Sequence, residues 1–109
     1  ETGDNLLSET LALVEKWYDL QPTAFTNGLD NQAAKNEQGT NEGSLKVFAL
    51  GRLNGFTPEQ ALKSFGEHYR DVLATPDGSD RQNIRQFMRH GWAGIQFEHA
   101  PLNLKAVEA

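Results

Sequence analysis

The segment Ser79–Glu98, SDRQNIRQFMRHGWAGIQFE, predicts a helix followed directly by a strand. Ser79 is the expected N-cap, and Gln82 three residues later completes a capping box. Gly91 is expected to end the helix, and apolar and polar side chains then alternate over 95–98, as in a strand. Three apolar side chains of the helix are expected to face inward: Ile84, Phe87 and Met88.

Upstream of this segment, the sequence predicts a first helix from Asp4 or Asn5 to Asp19. Apolar residues recur there at helical spacing: Leu7, Leu11, Val14 and Tyr18. Further apolar residues widen the stripe and predict a helix sandwiched between other elements: Leu6, Leu13, Trp17 and Leu20. A short strand over Thr23–Thr26 is closed by the turn pair Asn27-Gly28, and we expect it to pair with the strand near residue 96.

Two more helices are predicted in the middle of the chain. Ser44 is the expected cap of a helix over Leu45–Asn54. The next helix starts at the N-cap Thr57, with Pro58 in the first helical position and Gln60 completing a capping box. Its expected buried face extends past residue 70: Ala61, Leu62, Phe65, Tyr69, Val72 and Leu73.

These elements predict one compact α+β domain, with about four helices packed on a small β-sheet. The 109 residues suit a single core, and 38% of them are hydrophobic. We expect the domain to span residues 1–109, with its core at about 5–98 and a surface tail over 99–109.

The composition excludes several classes of function. The chain has no cysteine, so disulfides, thiolate metal sites and a cysteine nucleophile are excluded. The net charge of −5 argues against a nucleic-acid partner, because such proteins neutralise phosphates with basic residues. No apolar run is long enough to span a bilayer and no secretory signal is evident, so we expect a soluble protein of undetermined compartment.

Four blocks together resemble the HopJ type III effector family, in the family's order and over about residues 6–98. They are YDLQPTAFTNG at 18–28, NEGSLKVFA at 41–49, FGEHYRDVL at 65–73, and DRQNIRQFM with GWAGIQF at 80–97. The resemblance implies an effector-like protein, and the family pattern carries no reaction mechanism. The segment Leu29–Thr40 departs from the pattern, because it is longer than in the family.

A positive stripe on the last predicted helix suggests a protein partner. Arg81, Arg85 and Arg89 recur every four residues, and guanidinium groups so spaced can bind carboxylates or phosphates. The alternatives are a solvated face with local ion pairs, or side chains at Asn83 and Arg85 that organise the neighbouring loop. The stripe favours a non-catalytic protein-interaction module, effector-like or a soluble accessory subunit of a larger assembly, including one docked on a membrane complex.

A second hypothesis is a pocket for a small anionic ligand, in a binding protein or an enzyme. Its candidate residues are polar or cationic: Asn27, Asn36, Asn41, Ser44 and Lys46. Asparagine amides supply donors and acceptors, a lysine supplies charge, and a helix start at Ser44 presents backbone N–H groups to an anion. Alternatively, Ser44 acts only as a cap, and the asparagines only serve turns.

The sequence predicts no metal, no cofactor and no catalytic residue. His68, His90 and His99 show no pair at the spacing that places two ligands on one helix face. Glu67 and His68 are an acid and a base, but neighbouring helix positions point about 100° apart. The sequence therefore favours a protein that is not an enzyme.

Overall fold

The computed structural model describes residues 6–29, 31 and 33–105, and within them it contains five α-helices and five short strands. The helices are α1 Leu7–Trp17, α2 Glu42–Leu53, α3 Pro58–Lys63, α4 Glu67–Ala74 and α5 Gln82–His90. The strands are β1 Tyr18–Leu20, β2 Phe25–Asn27, β3 Ala34–Asn36, β4 Ile95–Phe97 and β5 Leu102–Leu104. A 3₁₀ helix at Gly91–Gly94 joins α5 to β4. The predicted α+β class is confirmed.

The strands form two small antiparallel sheets rather than one. The first has the order β3-β2-β4, with Phe25 opposite both Asn36 and Phe97. This confirms the predicted pairing of the strand near residue 25 with the strand near residue 96. The second sheet joins β1 to β5, with Leu20 opposite Leu102. The sequence had predicted neither of these two strands, nor β3.

The core is built around Phe48, which is fully buried on α2. Its ring centroid lies 5.0 Å from that of Phe87 and 5.3 Å from that of Phe65. The rings of Phe25 and Trp92 follow at 6.3 Å each. Large aromatic side chains contribute strongly to burial, so this cluster fixes α2 and α5 against the three-stranded sheet.

The predicted third helix is two helices, α3 and α4, separated by a glycine turn. Its start is confirmed, because the Thr57 side chain accepts from the Gln60 N–H and Gln60 Oε1 accepts from the Thr57 N–H. The break falls at Gly66, whose φ is +61°. A Cβ there would lie 2.4 Å from the Leu7 backbone nitrogen, so the glycine lets the chain turn against the start of α1.

The starts of α2 and α5 differ from the prediction. The N-cap of α2 is Asn41 rather than Ser44, and the N-cap of α5 is Arg81 rather than Ser79. Both residues have a left-handed backbone with φ +52°, and neither side chain caps its helix. Gln82 instead donates its side-chain amide to the Ser79 carbonyl. Serine capping requires an extended backbone at the cap, and here that position is left-handed.

Several apolar residues expected to face inward are exposed. They are Leu6, Leu13, Trp17, Leu73 and Met88, with exposed fractions between 43% and 53%. The helix α1 packs against α2 on one side and buries Val14, so it is not sandwiched as predicted. The expected start of this helix at Asp4 or Asn5 lies outside the described residues. Conversely, Pro101 and Leu102 are buried and lead into β5, where the sequence predicted a surface tail.

None of the helices in the described ranges combines the length and apolarity needed to cross a membrane.

Candidate functional site

A cavity of about 560 Å³ with a mixed polar and apolar lining opens where α2 and α5 begin. Polar side chains form much of its lining: Lys35, Asn36, Asn41, Ser44, His68, Arg81, Gln82 and Asn83. The remaining lining residues are apolar or glycine: Leu7, Ala34, Gly43, Phe65 and Ile84. Its lining includes two cationic side chains and no carboxylate. On a chain of net charge −5, this cavity is therefore a local site suited to negative charge.

Two helix N-termini contribute to this cavity. The first turn of α2 supplies Asn41, Gly43 and Ser44, and the first turn of α5 supplies Arg81 to Ile84. The N-terminal end of a helix carries partial positive charge and unpaired backbone N–H groups. Because neither N-cap side chain caps its helix, both starts favour a negatively charged group in the cavity.

A network of four asparagines forms one wall. The carboxamides of Asn36 and Asn83 pair reciprocally, with Nδ2–Oδ1 distances of 3.1 and 3.0 Å. Asn41 Nδ2 donates to Asn36 Oδ1 at 2.6 Å. On the far side, Asn27 Nδ2 donates to the Asn83 carbonyl at 2.6 Å and to Asn83 Oδ1 at 3.1 Å. The network joins β2, β3 and the starts of both helices, so it holds the wall in a fixed arrangement.

The strand register explains why these asparagines meet. Phe25 lies opposite Asn36 in the β2–β3 pair, and Asn27 lies opposite Ala34. Asn27 and Asn36 are therefore diagonal neighbours on the buried face of the sheet. The first turn of α5 places Asn83 against them, and all three side chains are at least 91% buried. Buried amides need hydrogen-bond partners, and these three supply most of one another's, with Asn27 Oδ1 left without a partner.

Arg81 links the cavity to α4. Its guanidinium lies 3.0 Å from His68 Nδ1 and donates to Asp71 Oδ2 at 3.2 Å. Because arginine can only donate, His68 Nδ1 is the acceptor and the ring proton sits on Nε2. The Arg81 side chain is 33% exposed, so it remains accessible to a ligand that competes with Asp71.

Arg85 does not belong to an exposed stripe. Its side chain is 7% exposed and donates to Asp80 and to Thr75, through both backbone and side-chain oxygens. The guanidinium also lowers the pKa of the Asp80 carboxyl. Arg85 thus holds the loop between α4 and α5, the alternative role considered from the sequence. Arg81 and Arg89 remain on the surface, and their role in binding a partner stays a prediction.

The pocket predicted from the sequence is only partly assembled. Asn36, Asn41 and Ser44 line the cavity, Asn27 lies behind the wall, and Lys46 is not a lining residue. Asn83 and His68, which the sequence did not assign to the predicted pocket, also line the observed cavity. Both stand in blocks that carry the family resemblance, which was the available signal. The contact of Asn83 with Asn36 depends on β3, which the sequence did not predict.

Within the described ranges, no three His, Cys, Asp or Glu side chains converge on a point that could hold a metal ion.

Comparison with known proteins places the chain in a family. A family model described as HopJ type III effector protein matches residues 1–102. The crystal structure of a protein of unknown function, VPA0580, is 45% identical, with a TM-score of 0.87 over 96% of this chain and 86% of that one. No curated protein matches the chain. The chain belongs to the HopJ type III effector protein family.

Proposed function

We propose that the protein binds a small anionic ligand in the cavity between the starts of α2 and α5. The observation that carries the proposal is the lining itself, in which Arg81, Lys35 and several amides surround the space without a carboxylate. Two helix N-termini add partial positive charge from the backbone.

The apolar lining indicates what else the ligand contains. Leu7, Phe65 and Ile84 line the same cavity as the polar side chains. A volume of about 560 Å³ lies within the range of small-molecule sites, roughly 300–1,000 Å³. The arrangement suits an organic molecule with an anionic group and a small apolar part, and the proposal is one of binding rather than of a reaction.

Thermal-shift and calorimetric titration with phosphate, sulfate and small carboxylates tests the proposal. We expect Arg81→Gln to weaken binding about ten-fold or more, since one charge-assisted contact contributes about 1.5–3 kcal/mol. Arg89→Gln is the matched control, because Arg89 lies on the same helix, is exposed and does not line the cavity. A wild-type protein that binds none of these anions contradicts the proposal.

A second variant is expected to change the affinity for anions in the opposite direction. Asp71 accepts a hydrogen bond from Arg81 at 3.2 Å and is 62% exposed. Asp71→Asn removes the charge that competes for the guanidinium, so we expect anion binding to strengthen. Equal loss of binding in Asp71→Asn and Arg81→Gln would indicate damage to the local structure rather than a charge effect.

A second candidate is a non-catalytic interaction module, effector-like or an accessory subunit, that binds an acidic patch of a partner protein. It is supported by the family description and by the exposed Arg81 and Arg89 on α5. Reversal of both to Glu, followed by affinity capture from a cell extract, tests it. We expect a specific partner to be lost, and capture equal to that of the wild type would count against this surface.

A further inference from the structure

We infer that the asparagine network makes the cavity selective for a group that only accepts hydrogen bonds, a carboxylate or a phosphate, over a neutral carboxamide of the same shape. The inference rests on the proposed function, and it names the chemical class of the ligand and the residues that select it. Asn83 and Asn41 are the specificity-determining residues.

The orientation of the network is fixed by backbone carbonyls at both ends. Asn27 faces the Asn83 carbonyl at 2.6 Å, so the Asn27 group on that side must be the donor Nδ2. At the other end, Asn36 Nδ2 lies 3.3 and 3.4 Å from the carbonyls of Ala34 and Phe25. Rotation of either amide by 180° would bring two oxygens together. The cost of this orientation is seen at Asn27 Oδ1, which is buried without a partner.

This orientation uses up the side-chain oxygens of Asn36 and Asn83. Asn36 Oδ1 accepts from Asn41 and Asn83, and Asn83 Oδ1 accepts from Asn27 and Asn36. A carboxamide oxygen has two lone pairs, so neither oxygen can accept a third hydrogen bond well. Asn83 Nδ2 and Asn41 Nδ2 each donate once to Asn36 and each keep a second N–H. The Asn83 carboxamide therefore offers a ligand a donor and no acceptor, whereas Asn41 offers a donor and also carries its own Oδ1.

The Arg81 guanidinium, the Lys35 ammonium and the two helix starts share this preference, whereas Ser44 and Gln82 in the lining can both donate and accept. The Arg81 guanidinium has donors only, and helix N-termini present backbone N–H groups. A carboxylate or phosphate oxygen satisfies such donors. A carboxamide has an NH₂ group in place of one of these oxygens, so some donors of the cavity lining lose their acceptor. We expect this loss to weaken binding at least about ten-fold.

Calorimetric titration of the full chain with benzoate, phenyl phosphate and benzamide tests the inference. The phenyl ring suits the apolar lining by Leu7, Phe65 and Ile84. We expect benzoate and phenyl phosphate to bind at least about ten-fold more tightly than benzamide. Benzamide binding as tightly as benzoate would overturn this inference and leave the proposed function standing. Failure of all three to bind would count against the proposed function itself, and the inference would fall with it.

Isosteric variants assign the selectivity to the network. Asn83→Asp replaces the donor Nδ2 with an oxygen, and we expect the preference for benzoate over benzamide to shrink about ten-fold or to invert. Asn41→Asp makes the same exchange at an exposed residue, which keeps the test valid if the buried substitution prevents folding. Gln21→Glu adds the same charge at an exposed residue outside the cavity lining and should leave the preference unchanged. A wild-type preference in Asn41→Asp and in a folded Asn83→Asp would overturn the assignment.

Discussion

The Glu67 carboxylate accepts a hydrogen bond from the Leu7 backbone N–H at 2.8 Å. A side chain of α4 is therefore the hydrogen-bond partner of the first residue of α1. The first N–H groups of a helix have no partner within the helix. A carboxylate near them also interacts favourably with the positive end of the helix dipole. This contact ties α1 to the part of the domain that lines the cavity, since Leu7 is itself a lining residue.

The same contact predicts a loss of stability in acid. The Leu7 N–H lowers the pKa of Glu67 from its ordinary value of 4.5. A carboxyl whose pKa is lower in the folded state contributes stability above its unfolded pKa, and loses it as the pH falls through the folded pKa. We expect the free energy of unfolding of Glu67→Gln to decline less steeply below about pH 4.5 than that of the wild type. Urea unfolding across pH measures this, and Glu15→Gln, at an exposed position of α1, should keep the wild-type slope.

We expect Gly66→Ala to lower the free energy of unfolding far more than Gly55→Ala. Both glycines have positive φ, +61° at Gly66 and +69° at Gly55. A Cβ at Gly66 would meet the Leu7 nitrogen at 2.4 Å, whereas nothing lies within 4 Å of a Cβ at Gly55. The left-handed helical conformation costs an alanine about 1–2 kcal/mol, and Gly66, with ψ −128°, lies outside even that region. Denaturant unfolding of both variants measures the difference, and equal losses would show that neither the Gly66 backbone nor the start of α1 resists a Cβ.

Arg85→Ala should destabilise the domain by about 2–3 kcal/mol, because a buried guanidinium that donates to Thr75 and Asp80 is lost. Without the cation, the pKa of Asp80 should rise towards its ordinary value of 3.8, which NMR titration of the carboxyl can follow. The exposed Arg89→Ala should change stability by about 0.5 kcal/mol or less. Equal effects of the two substitutions would contradict the assigned role of Arg85.

Thr57→Ala should cost about 0.5–2 kcal/mol, because the capping box at the start of α3 loses its side-chain acceptor. Thr57→Ser keeps the hydroxyl and should restore most of the loss. Thermal unfolding of the two variants compares them directly, and identical melting temperatures would show that the cap contributes nothing.

The sequence predicted correctly the elements that are determined by residues close to one another along the chain. The capping box at Thr57 and the alternation at Ile95 and Phe97 correspond to α3 and β4. The strand β2 begins two residues and ends one residue later than predicted, and Asn27, read as a turn residue, belongs to the strand and is buried. An asparagine buried by partners elsewhere in the chain does not follow the usual preference for turns.

The cavity could not be predicted in full because it depends on long-range contacts. Asn36 was a candidate, but its partner Asn83 lies 47 residues away on α5. The starts of α2 and α5 use left-handed Asn41 and Arg81, and no residue pattern marks an arginine for that backbone. Serines at Ser44 and Ser79 were better caps by propensity, yet the tertiary structure places the helix starts elsewhere.

The pairing of β1 with β5 also bears on how the chain folds during synthesis. Leu102 belongs to a small second core cluster with Val14, Ala49 and Leu50, and Leu20 lies opposite it. A nascent chain on the ribosome can form α1 and α2 early, but it leaves their shared apolar surface uncovered until residue 104 has emerged from the exit tunnel. During that interval, Val14 and Leu50 are where a chaperone would be expected to bind.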